Sequence, residues 1–313
     1  MKVLIPVGKS KDILATIAIG GQYYDDWLKN AYPSWKRYCK RHDLGLIVFD
    51  DDLISKSDKV WKKATWQKML IASTLKSLLK DVNNVCYLDT DILINDHAPN
   101  IFLEYDSETI GLVSQVKNVP FEVDMTHRKI SFLRHTHYDN KYPLDSAIFM
   151  PIKDLFKYHK VDVQDNYACM GLIMFNVRNH AEIMHGWFNK YNSNIDSITG
   201  GGDEPYINYE IQNYGKITWL DYKFQALWTY EMAIHYPFLF NYGKDNITLI
   251  RECIEASLMT NYFLHFAGSW YESEMWKVGE FFESKYKKKV RKDYYHYLDT
   301  PVTGKPKGRI KPS

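Results

Sequence analysis

An apolar run that ends in two aspartates constrains this chain more than any other feature. Residues 85–88 (Val-Cys-Tyr-Leu) lead directly into Asp89, Thr90 and Asp91, and a second apolar run follows at 92–94. A short continuous apolar run is typical of a strand buried on both faces of a parallel sheet. Open α/β sheets bind their ligands beyond the carboxyl ends of such strands. The pattern therefore predicts an α/β fold with the acidic pair at its ligand-binding edge.

The flanking sequence supports a mainly parallel sheet. Strands are predicted at 3–7, 14–19 and 46–49, with one helix from 24 to 41 between the last two. A strand, a helix and a strand in succession favour a βαβ unit with parallel strands. Further along the chain, the apolar spacing predicts strands at 110–114 and 169–177 and helices at 66–79 and 205–212.

Length and composition indicate an ordinary globular protein. Of the 313 residues, 45% are hydrophobic and 25% are charged, which excludes a disordered chain. We expect one domain over residues 1–283. Within it, 118–165 is rich in His, Tyr, Asp and Lys and shows weak periodicity, so it is predicted to be either an insertion or an acceptor-side subregion. Residues 284–313 are predicted to form a basic C-terminal helix and tail.

The basic tail and the cysteines bear on partners and compartment. The tail is interpreted as a solvated face or as a contact with an anionic surface, and the absence of a recognition motif argues against nucleic acid. The four cysteines are far apart with no Cys-x-x-Cys pair, so neither a zinc site nor a disulfide framework is indicated. No signal peptide or membrane-spanning run is evident, and a cytoplasmic location is expected.

The residue types around the acidic pair point to a hard divalent cation. Two carboxylates at positions i and i+2 after a strand can reach one cation through a local turn, and such a cation binds oxygen ligands and bridges to substrate phosphates. In the alternative interpretation, Asp89 caps the next element and Asp91 is solvated. Aromatic residues make up 15% of the chain, which fits either a tyrosine-rich core or a sugar-binding cleft.

Three later segments carry further candidate residues. Gly171 lies in an apolar strand, where a missing side chain permits close approach of a ligand. Asp203 and Glu204 begin a helix after three consecutive glycines (200–202), so Asp203 is either a sugar contact or an N-cap. His265 follows the apolar residues 262–264, and a lone histidine is either a metal ligand or a hydrogen-bonded structural residue.

Taken in order, these segments resemble the GT-A glycosyltransferases, and within them the retaining glycogenin-like and galactosyltransferase-like enzymes. The resemblance is carried by Trp66-Gln67-Lys68, Tyr87-Leu88-Asp89-Thr90-Asp91, Gly171 with Phe175-Asn176, Asp203 with Asn208, and His265-Phe266-Ala267-Gly268. It implies a Rossmann-like GT-A fold, with a mixed, mainly parallel sheet flanked by helices in a single domain.

The resemblance also implies roles for these residues. Asp89, Asp91 and His265 would hold manganese or magnesium, which binds the diphosphate of a nucleotide-sugar, commonly a UDP-sugar. Lys68 would approach the phosphate or the sugar, and Asp203 would hydrogen-bond the sugar hydroxyls. The remaining donor-binding positions would be Ala18, Ile19, Thr90, Gly171 and Gly268. One departure is Tyr271, which stands where the glycogenin-like pattern has a lysine that holds the leaving diphosphate.

The predicted function is a metal-dependent glycosyltransferase (a hexosyltransferase) that moves a sugar from a nucleotide-sugar to a glycan, protein or lipid acceptor that the sequence does not identify. Retention requires no separate base, whereas inversion requires a carboxylate, for which Asp203 and Glu204 are the candidates. Two alternatives remain: a haloacid dehalogenase-type phosphatase, in which the first aspartate is the nucleophile, and a non-catalytic sugar-binding protein with a GT-A-like fold.

Overall fold

The computed structural model describes residues 1–79, 81–138, 150–195 and 202–279. Residues 1–279 form one compact unit. Its strands are β1 (Lys2–Ile5), β2 (Asp12–Ile17), β3 (Gly45–Phe49), β4 (Asn84–Leu88), β5 (Ile92–Ile94), β6 (Ile110–Val113), β7 (Leu172–Asn176), β8 (Ile217–Leu220), β9 (Ala226–Leu227) and β10 (Phe263–His265).

The helices follow the same chain order. They are α1 (Gly21–Asn30), α2 (Tyr32–His42), α3 (Ala64–Gln67), α4 (Ile71–Leu78), α5 (Val123–His137), α6 (Ile152–Tyr158), α7 (Val177–Lys190), α8 (Glu204–Tyr214), α9 (Trp228–His235) and α10 (Ile247–Thr260). Short 3-10 turns occur at Lys68–Leu70, Ile101–Glu104, Tyr222–Gln225, Pro237–Phe240 and Tyr271–Val278.

The central sheet has seven strands in the order β1-β3-β2-β4-β7-β6-β8. Strands β3, β2, β4, β6 and β8 run in one direction, whereas β1 and β7 run in the other. Helices α4 and α7 pack together beside this sheet, where Ile173 and Phe175 of β7 join the main hydrophobic core. The predicted α/β class, with a mixed and mainly parallel sheet flanked by helices, is confirmed.

A second sheet of three strands has the order β5-β10-β9. Strand β10 runs antiparallel to β5, with His265 opposite Ile92, and parallel to β9, with His265 opposite Leu227. Because β5 begins directly after Asp91, this pairing brings the end of β10 back to the end of β4.

The single helix predicted at 24–41 is wrong, because the structure contains two helices that meet at Ala31. Pro33 lies in the first turn of α2, where the missing N–H and fixed φ of proline are tolerated, and in a continuous helix its ring would clash with the carbonyl of residue 29. The break packs Trp27 against Trp35 at 5.4 Å between ring centroids. The Trp35 indole Nε1 then donates to the Ile92 carbonyl oxygen at 2.7 Å, which ties α2 to the start of β5.

One predicted region lies partly, and another wholly, outside the described residues. The segment 118–165 contains α5 and α6, and residues 139–149 within it lie outside the described residues. The predicted basic helix and tail at 284–313 also lie outside them. Among the helices that the structure describes, none combines the length and the apolar character needed to cross a membrane.

Candidate active site

The acidic motif forms a turn that is anchored at both ends. Strand β4 ends at Leu88, and the Asp89 backbone N–H donates to the Gly171 carbonyl oxygen at 2.8 Å. At the other end, the Phe266 backbone N–H donates to the Asp91 carbonyl oxygen at 3.1 Å. One bond joins the turn to the approach to β7 and the other joins it to the end of β10. The aspartates therefore project from rigid backbone at the carboxyl edge of the sheet.

Three side chains converge at this turn. One ligand atom each from Asp89, Asp91 and His265 lies within 4.8 Å of the others. His265 Nε2 is 3.2 Å from Asp91 Oδ1 and 3.9 Å from Asp89 Oδ2. The histidine side chain is only 1% exposed, whereas those of Asp89 and Asp91 are 35% and 23% exposed. Two accessible carboxylates and one imidazole make an oxygen-rich donor set that suits Mn²⁺ or Mg²⁺.

Gly171 provides the space that this cluster needs. A β-carbon at this position would overlap His265 Cε1 and lie 2.9 Å from Asp89 Oδ2. The φ angle of Gly171 is not among the positive ones, so the requirement is for room and not for an unusual backbone conformation. The space beside Gly171 therefore lets the three ligand atoms converge on a bound cation. Any larger residue at 171 would displace His265 and Asp89, two of the three candidate ligands.

The carboxylates also control the ionisation of His265. Burial by itself would lower the pKa of its imidazole, but the carboxylates of Asp91 and Asp89 outweigh that effect and raise the pKa above its ordinary value. The imidazolium form is stabilised by the same two groups that would share a metal with the neutral form. A proton and a cation therefore compete for this position.

A buried ion pair lies beside the cluster. Lys68 Nζ is 3.0 Å from Asp203 Oδ2 and donates to the Met170 carbonyl oxygen at 2.8 Å. Burial would lower the pKa of Lys68, but Asp203 and Asp89 raise it above the ordinary value. Burial raises the pKa of Asp203 to about 6, against the opposing effect of Lys68. Both groups are therefore charged at neutral pH. Met170, whose carbonyl oxygen Lys68 contacts, is the residue directly before Gly171.

The structure contradicts the capping interpretation of Asp203, whereas its contact with the sugar stays a prediction. This residue is the N-cap of α8 by position, but its side chain makes no capping hydrogen bond. The carboxylate is turned toward Lys68 instead. Glu204 is half-buried and accepts from the Met170 backbone N–H at 3.2 Å and from the Tyr167 hydroxyl at 3.3 Å. The first turn of α8 thus supplies two carboxylates on the same side as the cluster.

Two residues at the site have no role assigned from the sequence. The Tyr87 hydroxyl donates to Asp89 Oδ1 at 2.6 Å, and its ring lies 5.2 Å from Lys68 Nζ. Gln225 Nε2 lies 3.2 Å from His265 Nδ1 and donates to the Cys169 carbonyl oxygen at 3.2 Å. The contact of Tyr87 with Asp89 could have been predicted from the sequence, because side chains two residues apart along a strand lie on the same face. No such local pattern indicates Gln225.

The other predicted donor-binding residues occupy the same edge of the sheet or its approaches. Ala18 and Ile19 follow β2, which is the parallel neighbour of β4, and the Ala18 N–H donates to the Phe49 carbonyl oxygen at 2.8 Å. Thr90 lies in the turn between the aspartates. Gly268 has a φ of 106° and follows β10. Their donor-binding roles stay predictions, and Gly200 and Gly201 lie outside the described residues.

Tyr271 begins the 3-10 turn at Tyr271–Val278. Its hydroxyl donates to the Lys244 carbonyl oxygen and lies 3.2 Å from Asp245 Oδ1. It therefore takes part in a loop contact at the position where the glycogenin-like pattern has a lysine.

No protein-family model and no curated protein matches the chain. Solved structures do share a likeness with it. A glycosyltransferase involved in glycosylation of the major capsid of PBCV-1 is 10% identical, with 85% of this chain and 99% of that chain covered and a TM-score of 0.45. The galactosyltransferase LgtC, with donor and acceptor sugar analogs, is 11% identical over 85% and 94%, with a TM-score of 0.43.

Mouse xyloside xylosyltransferase 1 in its apo form is 10% identical over 81% of this chain and 97% of that chain, with a TM-score of 0.38. All three descriptions name glycosyltransferases. At such low scores and identities, the likeness carries no argument about function.

Proposed function

We propose that this protein is a glycosyltransferase that uses a divalent metal, held by Asp89, Asp91 and His265, to transfer a sugar from a nucleotide-sugar. The convergence of these three side chains at the carboxyl edge of a mainly parallel sheet carries the proposal. The resemblance in the sequence motifs favours a UDP-sugar as donor. The acceptor is a glycan, a protein or a lipid, and the basic region at 284–313 is a candidate contact with an anionic surface.

The chemistry calls for a good leaving group. The transition state of glycosyl transfer resembles an oxocarbenium ion, and departure of the nucleoside diphosphate builds up negative charge. When bound, the cation supplies Lewis-acid stabilisation of that charge. Asp89 and Asp91 stay exposed enough to share it with a diphosphate. Lys68 is fixed by Asp203 and the Met170 carbonyl oxygen, so it offers a preorganised cation beside the same phosphates or the sugar.

The two carboxylates of α8 differ in their availability. Asp203 is 5% exposed and is occupied by Lys68, which suits a group that orients sugar hydroxyls. Glu204 is half-buried and is held by two donors, so it is the better candidate to face the reacting carbon. In a retaining reaction, which the resemblance favours, the departing phosphate oxygen takes the acceptor proton. In an inverting reaction, Glu204 is the candidate base.

The phosphatase alternative has less support from the site. An aspartate nucleophile needs a free oxygen aligned with phosphorus. Asp89 Oδ1 instead accepts from the Tyr87 hydroxyl, and its Oδ2 faces His265. The position of Asp89 Oδ2 opposite the His265 imidazole is what a metal site needs, because both groups can then bind the same cation. A non-catalytic sugar-binding protein would have the same cluster without turnover, and only an activity measurement distinguishes it.

The proposal is tested by incubating the protein with a panel of nucleotide-sugars and Mn²⁺ and measuring release of the nucleoside diphosphate. We expect slow, EDTA-sensitive hydrolysis of one donor, together with a rise in melting temperature that the same donor causes only with the metal. Preferential hydrolysis of phosphomonoesters would favour the phosphatase. Binding of a donor with no release would favour the sugar-binding protein.

A further inference from the structure

Gln225 lies where its side chain can determine whether His265 Nδ1 carries the imidazole proton. It ends the 3-10 turn Tyr222–Gln225, directly before β9, which pairs with β10 and so with His265. Its side chain is 1% exposed. Its amide nitrogen lies 3.2 Å from His265 Nδ1 and 3.2 Å from the Cys169 carbonyl oxygen. The opposite nitrogen, Nε2, faces Asp91 at 3.2 Å.

This arrangement fits a neutral imidazole that has no metal. An amide N–H₂ group can only donate, so Nδ1 accepts from it and the imidazole proton lies on Nε2. There the proton faces Asp91 Oδ1 across 3.2 Å, although that oxygen accepts no hydrogen bond from the described residues. The contact with Gln225 therefore places the proton on the atom that faces the two aspartates.

Metal binding requires the opposite arrangement. A cation shared with Asp89 and Asp91 needs the lone pair of Nε2, so the ring proton must lie on Nδ1 and must find an acceptor there. The Gln225 carbonyl oxygen Oε1 is such an acceptor, since it is buried and has no hydrogen-bond partner in the described part of the chain. Rotating the amide by half a turn brings Oε1 to Nδ1, at the cost of the hydrogen bond to the Cys169 carbonyl oxygen.

We propose that Gln225 is the positioning residue of the metal site, and that its amide reverses when the cation binds so that Oε1 accepts the proton on Nδ1. The inference rests on the proposed metal site. The Cys169 sulfur, 3.6 Å from Nδ1, is the other atom within reach, but a thiol is a weak acceptor. Glutamine is suited to this position because the same side chain satisfies either tautomer.

Two substitutions of similar size separate this role from simple packing. Gln225→Met keeps the volume and removes both polar atoms, whereas Gln225→Glu keeps an acceptor for Nδ1–H. With UDP present, we expect Gln225→Met to weaken Mn²⁺ binding about 10- to 100-fold, as for other changes behind metal-bound histidines. We expect Gln225→Glu to stay within about threefold of the wild-type affinity, because a carboxylate also fixes Nε2 as the ligand. Mn²⁺ binding is followed by the electron paramagnetic resonance signal of the free ion.

A second measurement reports the tautomer without any activity assay. In protein labelled with ¹⁵N at histidine, long-range ¹H–¹⁵N spectra should place the His265 proton on Nε2 in the neutral metal-free protein and on Nδ1 in the Zn²⁺-loaded protein. Gln115→Met is the matched control, since Gln115 is also buried and lies outside the metal cluster. It should change neither the affinity nor the tautomer.

The outcomes separate this inference from the proposed function. If wild-type protein binds no Mn²⁺ with UDP present, the metal site itself is wrong. If wild type binds and Gln225→Met binds equally well, or Gln225→Glu is as weak as Gln225→Met, the role of Gln225 is wrong while the metal site stands. A proton that stays on Nε2 in the loaded protein would also overturn it.

Discussion

Gly171 and His265 lie so close that a single methyl group at position 171 would overlap the imidazole. A β-carbon there would also lie 2.9 Å from both His265 Nδ1 and Asp89 Oδ2. The Gly171 carbonyl oxygen meanwhile accepts from the Asp89 N–H, so the backbone cannot retreat without moving the acidic turn. The spacing of two of the three candidate metal ligands therefore depends on the absence of a side chain on the approach to β7.

We expect Gly171→Ala to weaken Mn²⁺ binding by about tenfold or more, because it displaces His265 and Asp89 from a common centre. Manganese titration and donor hydrolysis would measure the loss. Gly186→Ala is the matched control, since a β-carbon in the middle of α7 would meet nothing within 4 Å. That change should leave binding intact and stabilise the fold by up to about 1 kcal/mol. Normal manganese binding by Gly171→Ala would show that the cluster of Asp89, Asp91 and His265 is not the metal site.

A second prediction concerns the two aspartates. Asp89→Asn and Asp91→Asn keep the shape of each side chain and remove its charge. Because both side chains are partly exposed, we expect little change in melting temperature and a loss of metal-dependent turnover of about 100-fold or more, in line with a Lewis acid that contributes several kcal/mol. Asp154→Asn on α6, at an exposed i,i+3 pair with Lys157, is the control and should keep full activity. Turnover that persists in either site variant with EDTA present would remove the metal from the mechanism.

Local pattern predicted six of the seven strands of the central sheet, because these are short apolar runs with clear ends, but it did not predict β8 at Ile217–Leu220. Residues 85–88 and the aspartates after them identify both β4 and the edge where it ends. The histidine could be singled out from sequence, but its meeting with Asp91 depends on the antiparallel pairing of β10 with β5 across more than 160 positions. Such long-range pairing leaves no local signal.

The same limit explains what the sequence analysis missed. Asp203 was predicted as either a cap or a sugar contact, and its actual partner, Lys68, is 135 positions away. Gln225 reaches His265 only through the pairing of β9 with β10. The break at Ala31 was missed for a different reason. The apolar spacing continues through both helices and so predicts one helix, although Pro33 is of a residue type that commonly marks a helix boundary.

A third prediction separates stability from function in the buried ion pair. Lys68→Met leaves the Asp203 carboxylate buried without its cation, and we expect the free energy of unfolding to fall by about 3–5 kcal/mol. Replacing both groups, as Lys68→Met with Asp203→Leu, removes the uncompensated charge and should recover most of that loss, since apolar pairs often replace buried ion pairs at little cost. Activity should not return in the double variant if Lys68 and Asp203 contact the donor. Urea unfolding and donor hydrolysis measure the two effects separately.

The exposed pair Lys76–Glu182 serves as control for that experiment, because its side chains are 44% and 86% exposed. Lys76→Met should change stability by no more than about 0.5 kcal/mol. Recovery of both stability and activity in the double variant at 68 and 203 would assign the pair to structure alone.

The last prediction follows from the competition between a proton and the metal at His265. The carboxylates of Asp91 and Asp89 raise the pKa of this imidazole above 6.5 in the metal-free fold. Because a raised pKa means that the folded state binds the proton more tightly, this group stabilises the metal-free protein below pH 6.5, and that contribution is lost as pH rises through the folded pKa. Metal affinity depends on pH in the opposite way. It increases as pH rises, because the cation must displace the proton from His265.

We therefore expect Mn²⁺ affinity to begin falling at a pH above 6.5 and to decrease by about tenfold per pH unit below the pKa of His265, as required when one proton is released for each cation bound. The rise in melting temperature caused by Mn²⁺ and UDP should shrink over the same range. His265→Asn should bind weakly at every pH, with the steep decline flattened, because it has no proton to exchange. His235→Asn is the control, at a position outside the metal cluster, and should keep the wild-type profile. An affinity in the wild type that stays constant from pH 8 to pH 6 would assign His265 to structure and leave the metal to the two aspartates.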